Sequence, residues 1–105
     1  MTRLIGYEDG GSKSICAIIE TEDEYLVCTV WDDGKLMIDD RHQKSRFRDL
    51  DHFQGVMGKF DPYALFLKKP QEIDFPAIGQ DTCGLCERVL YCDLMHALKR
   101  AKGEK

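Results

Sequence analysis

The first forty residues hold four short apolar runs, and only a few turn-forming residues separate one run from the next. That spacing limits the fold more than any other feature of the chain. Parallel neighbours need a crossover of about a dozen residues or more, so strands linked this closely must run antiparallel. The runs are Arg3 to Glu8, Ser14 to Thr21, Tyr25 to Trp31 and Lys35 to Asp39. Asp9-Gly10-Gly11-Ser12, Glu22-Asp23-Glu24 and Asp32-Asp33-Gly34 join them, and the last is a strong hairpin signal. Tyr25-Leu26-Val27-Cys28-Thr29-Val30-Trp31 has the β-branched and aromatic composition of a strand on a half-buried pleated surface.

The pattern changes after a basic segment, Arg41-His42-Gln43-Lys44-Ser45-Arg46-Phe47-Arg48, read as a loop. Leu50, Phe53, Met57 and Phe60 recur at helical spacing, with Asp49 or Asp51 as N-cap. Gly55 and Gly58 each cost about 1 kcal/mol against alanine, which predicts a short or irregular helix. Asp61-Pro62 ends it, Tyr63 to Leu67 reads as a fifth strand, and residues 68–82 form a long connection. A final helix is expected over about 87–102, where Leu90, Leu94, Ala97, Leu98 and Ala101 share one apolar arc and Gly103 gives the stop.

The expected fold is therefore α+β: an antiparallel meander of four to five strands, a short middle helix, and a C-terminal helix preceded by a CxxC zinc knuckle. Residues 1–105 read as a single domain, with the meander over 1–40, the basic loop, short helix and strand over 41–69, and the knuckle and last helix over 70–105. No apolar run is long enough to span a bilayer, and the N-terminal residues have no signal-peptide pattern. The expectation is a cytoplasmic, reducing location, in which cysteines are not read as a disulfide framework.

Three of the five cysteines fall in the segment Cys83-x2-Cys86-x5-Cys92-x3-His96. A CxxC turn containing Gly84 can aim both sulfurs at one centre, and Cys92 and His96 are i and i+4 on one helical face. Three thiolates and an imidazole fill a tetrahedral zinc shell and leave no open position, which suits structure rather than catalysis. Within one helix, Cys86 would lie about 9 Å below Cys92 and roughly 120° around the axis, so the CxxC turn must fold back beside the helix. An iron-sulfur cluster on the same ligands is a weaker reading. A redox role for the CxxC motif needs further strands after it, and the pattern there supplies only a helix. Cys86-x5-Cys92-x3-His96 is also similar to the last three ligands of CCCH zinc fingers, a family that binds single-stranded RNA. That family's first cysteine has no counterpart here at its usual place ahead of Cys86.

Cys16 and Cys28 are read as buried free thiols in adjacent strands, which a three-residue turn at Thr21 to Asp23 would set opposite one another. His42 and His52 read as surface histidines. Trp31, Tyr25, Phe47, Phe53, Phe60 and Phe66 read as core.

Charge is divided along the chain. Residues 1–40 carry three cations against ten carboxylates, and residues 41–105 carry twelve against nine, giving −4 in all. No nucleophile with a partner base, calcium-loop spacing or Gly-rich phosphate loop is present, so the leading expectation is a non-enzymatic, zinc-stabilised adaptor or inhibitor. Its acidic surface, Glu20, Glu22, Asp23, Glu24, Asp32, Asp33, Asp39 and Asp40, would face a basic protein, one that handles nucleic acid being a candidate. The alternative is a nucleic-acid-binding module of divergent CCCH-like type using Arg41, Lys44, Arg46 and Arg48 together with Lys99, Arg100 and Lys102.

Overall fold

The computed structural model describes residues 2–9, 13–31, 36–73 and 94–103. Five antiparallel strands form one sheet: β1 Thr2–Asp9, β2 Ser14–Glu20, β3 Glu24–Trp31, β4 Leu36–Gln43 and β5 Leu65–Ile73, in the order β4-β3-β2-β1-β5. Helix α1, Leu50–Phe60, follows β4, and helical residues 94–101 form α2. The class is α+β, as the turn spacing requires. The zinc knuckle lies outside the described residues.

Strand alternation gives the sheet two apolar faces, and one helix covers each. Leu4, Ala17, Ile19, Leu26, Cys28, Val30 and Ile73 pack with Leu94, Ala97 and Leu98 of α2. Ile5, Ile18 and Tyr25 pack with Phe53 and Met57 of α1. Tyr25 stacks on Phe53 with ring centroids 3.9 Å apart, and Phe47 meets both rings edge-on. Gly103, at φ 84°, ends α2 in the left-handed conformation that favours glycine, and the Lys102 backbone N–H reaches back to the Leu98 carbonyl.

Asp49 caps α1 by accepting a hydrogen bond from the His52 backbone N–H. The helix runs for eleven residues despite its two glycines, which lie exposed. Leu50, Phe53 and Met57 face the sheet as their spacing implies, but Phe60 does not. At the helix end beside Asp61 it is 82% exposed.

Two strands are longer than the sequence suggested. β4 continues through Arg41, His42 and Gln43, so the segment read as a loop begins as strand, and a 3-10 turn at Lys44–Arg46 follows. β5 runs past Pro70 to Ile73, into the region read as a connection. β5 is an edge strand, where a residue without an N–H is tolerated, and its pairing with β1 shifts register between Leu4 and Gly6. Gly6 is at that shift. A Cβ there would stand 2.8 Å from the Leu65 carbonyl oxygen, so this close approach of two backbones requires glycine.

The β2–β3 hairpin corrects one reading. Thr21 and Glu24 are linked through the Thr21 N–H to the Glu24 carbonyl and through the Thr21 hydroxyl, leaving a two-residue Glu22-Asp23 tip. Glu20 therefore pairs with Tyr25, Cys16 with Thr29 and Cys28 with Ala17. A three-residue turn would have set Cys16 opposite Cys28. The actual turn moves the register by one, which places the two thiols on opposite faces of the sheet.

Candidate interaction surfaces

The hairpin tip and the end of β4 bring the expected acidic and basic surfaces together. Glu20 is 9% exposed, accepts from Arg3 Nε at 2.8 Å, and lies 3.3 Å from Lys44 Nζ. The Lys44 backbone N–H donates to the Asp23 carbonyl, and its ammonium sits 5.4 Å from the centre of the Tyr25 ring. Arg41 pairs with Glu24 at 3.5 Å. Two of the proposed acidic contacts and two of the proposed phosphate-binding cations thus answer one another inside the fold. Arg46 and Arg48 remain exposed, as does Asp23; Asp32 and Asp33 lie outside the described residues.

The histidines are structural neighbours of this region. His42 lies 3.4 Å from Asp40 and meets Phe47 and Phe53 edge-on. His52 Nδ1 accepts from the Arg48 backbone N–H at 3.2 Å.

Carboxylates do converge at the other end of the α1-bearing face. Strand register lines up Glu8, Cys16, Thr29 and Met37 across β1 to β4. Asp39, the residue at the β4 register shift, accepts from the Thr29 hydroxyl, and Asp61 at the end of α1 shares a hydrogen bond with Glu8. That bond, then burial and the Asp61 charge, raise the Glu8 carboxyl above its ordinary range. Burial chiefly, followed by Asp39, Glu8 and Asp61, pushes the Cys16 thiol up to about 11. Among the described residues none of these three carboxylates forms an ion pair. Met37, 50% exposed, pairs with Thr29 across β3 and β4, and Tyr63, 76% exposed, donates its backbone N–H to Asp61 Oδ1 at 3.1 Å. Glu8 and Asp61 were not singled out by sequence, because only the register and the end of α1 unite them.

Of the four expected zinc ligands, Cys83, Cys86 and Cys92 lie outside the described residues. His96 is exposed on α2, while Leu94, Ala97 and Leu98 are buried, so this histidine does point away from the core-facing stripe. Among the described residues no three His, Cys, Asp or Glu side chains are grouped to hold a metal ion. Nor is any described helix long and apolar enough to cross a membrane.

The expected cations Lys99, Arg100 and Lys102 lie at the end of α2, against the β5 edge. Arg100 Nε donates to Gln71 Oε1 at 3.0 Å, and Lys102 Nζ stands 5.8 Å from the centre of the Tyr7 ring. Lys68 and Lys69 of β5, which sequence reading left in a connection, are exposed on that edge.

No family model matches the chain, and neither a curated protein nor a solved structure was found to be similar to it.

Proposed function

We propose that the chain is a non-enzymatic interaction module that binds a basic segment of a partner protein on the open end of its α1-bearing sheet face. The observation that carries this reading is the convergence of Glu8, Asp39 and Asp61 around Cys16 without an ion pair among the described residues. Like charges held together in a fold store a repulsion that an incoming lysine or arginine relieves, and such fields speed encounter with a basic partner. The neighbouring exposed Tyr63 ring and Met37 side chain add apolar and cation-binding surface. The acidic surface assigned from sequence contracts accordingly, since Glu20 and Glu24 are already neutralised within the fold. A structural zinc on Cys83, Cys86, Cys92 and His96 would fasten α2, whose described part holds the sheet through only three fully buried side chains.

A labelled arginine-rich peptide tests the binding face by fluorescence anisotropy at low salt. Replacing Glu8, Asp39 and Asp61 by their amides should weaken binding about tenfold or more, whereas Asp23→Asn at the hairpin tip should leave it unchanged. Equal loss from both variants would refute the assignment. Elemental analysis of protein purified without added metal should find close to one zinc per chain, and a metal-free folded protein would remove the zinc from the account.

A further inference from the structure

Building on the binding face proposed above, we infer that the basic segment it takes carries a bulky apolar residue two positions from an arginine or lysine, and that this residue rests on the Phe60 and Tyr63 rings. Phe60 and Tyr63 are 82% and 76% exposed, and they bracket Asp61 in the stretch Phe60-Asp61-Pro62-Tyr63. Asp61 joins the apolar pair to the acidic group, because it shares a hydrogen bond with Glu8 and its charge bears on Cys16. Isolated apolar side chains are ordinary on a surface, but two large rings on either side of a carboxylate offer apolar and negative surface together.

The turn is ordered before a partner arrives. The Asp61 N–H donates to the Met57 carbonyl, Asp61 Oδ1 accepts from the Tyr63 N–H at 3.1 Å, and the Asp61 carbonyl accepts from the Ala64 N–H at 3.2 Å. Pro62 fixes its own φ between the rings. A backbone held in this way gives up less entropy on binding. Chain geometry sets the spacing of the occupant: Phe60 and Tyr63 lie one and two residues from Asp61, roughly 4 to 7 Å between Cα atoms. An extended segment presents residues on one side every 6.6 Å or so, which puts its apolar residue two positions from the cation that meets Asp61.

Charge selects the occupant. Glu8, Asp39 and Asp61 outnumber the neighbouring exposed Lys59, so the site attracts a cationic segment and repels an anionic membrane or a phosphate backbone. A second copy meeting this face across a two-fold axis would bring its own three carboxylates to the contact.

Anisotropy with two fluorescein-labelled arginine-rich peptides of equal charge, one with leucine and one with serine two positions from an arginine, tests the inference. The leucine peptide should bind about tenfold more tightly. That ratio should hold as salt rises from about 50 to 200 mM, while both affinities fall. Phe60→Ser with Tyr63→Ser should bring the ratio near one, with circular dichroism unchanged. Leu65→Ser should keep it, since Leu65 is exposed but alternates with Phe66 and so lies on the other face of the sheet. Equal affinity of the two peptides, or a ratio unmoved by the double substitution, would overturn the inference and leave the acidic face standing. Failure of both peptides to bind would overturn the acidic face and the inference with it. Binding to vesicles of phosphatidylcholine and phosphatidylglycerol, or dimerisation in sedimentation, that is lost with Phe60→Ser and Tyr63→Ser would assign the rings to a membrane or a second copy and overturn it equally.

Discussion

Alanine at Gly55 and Gly58 should stabilise the protein, while the same substitution at Gly6 should weaken it, because the three glycines stand in opposite surroundings. Gly55 and Gly58 are exposed positions of α1, and nothing lies within 4 Å of a Cβ built on either. Each change therefore gains helix propensity without a steric penalty. The gain is about 1 kcal/mol at Gly55 in the helix middle and about half of that at Gly58, which is nearer the fraying end. Together they amount to about 1.5 kcal/mol, a rise in Tm of roughly 6 to 12 °C for a domain of this size. At Gly6 the added methyl meets the Leu65 carbonyl oxygen at 2.8 Å and Phe66 Cδ1 at 3.2 Å. The carbonyl belongs to a paired strand and cannot swing away, so relief requires β5 to move off β1. Overpacking of this kind costs about 1 to 3 kcal/mol. Thermal unfolding followed by far-ultraviolet circular dichroism reads both effects. A Gly55→Ala, Gly58→Ala variant no more stable than the parent would refute the exposure assigned to that face of α1. A Gly6→Ala variant of unchanged Tm would refute the close β1–β5 approach.

Three further expectations follow from the packing and the electrostatics. Phe53→Ala removes the fully buried ring that stacks on Tyr25, and should cost about 3 to 5 kcal/mol in denaturant unfolding; a loss under about 1 kcal/mol would contradict its central place under α1. Burial pushes Cys28 up to about 12 and Cys16 up to about 11, so at pH 8 no more than about one thiol in a thousand is ionised at either site. Peptide mapping after iodoacetamide should find both unmodified in the folded chain and modified in urea, and an oxidative link between them would contradict their placement on opposite faces. The raised Glu8 carboxyl means that the folded state holds this proton more tightly than the unfolded state does, so stability from this group is lost as pH rises from the ordinary glutamate range through the raised value. Glu8→Gln should remove that loss, and its advantage over the parent in urea unfolding should grow as pH rises above the ordinary glutamate range; an advantage independent of pH would contradict the raised carboxyl.

The existence of the strands, the cap on α1 and the stop of α2 were legible because each depends on residues adjacent in sequence. Asp49 and Gly103 announce themselves locally. Register did not, since a turn of two or three residues can be drawn from the same Thr21 to Glu24 segment, and only the Thr21 hydrogen bonds decide between them. The extra length of β4 and β5 was hidden for a related reason. Arg41 and Pro70 are poor strand residues by propensity, but an ion pair to Glu24 and an edge position make them acceptable. Phe60 fits the apolar spacing of α1, but the helix ends there, beyond the sheet it covers. Charge was the least legible property of all. Sequence sums divide the chain into an acidic and a basic half, whereas the fold neutralises Glu20 and Glu24 with Arg3, Lys44 and Arg41 and brings Glu8, Asp39 and Asp61 together from distant positions.

The central claim is that the open end of the α1-bearing sheet face, where Glu8, Asp39 and Asp61 surround Cys16, binds a basic segment of a partner protein. Amide chemical-shift mapping of the labelled chain, titrated with an arginine-rich peptide, tests it most directly. The expected result is a set of shifts centred on Glu8, Cys16, Thr29, Asp39 and Asp61. Shifts centred instead on Glu20, Asp23 and Glu24 at the hairpin end, or no shifts at all, would contradict it.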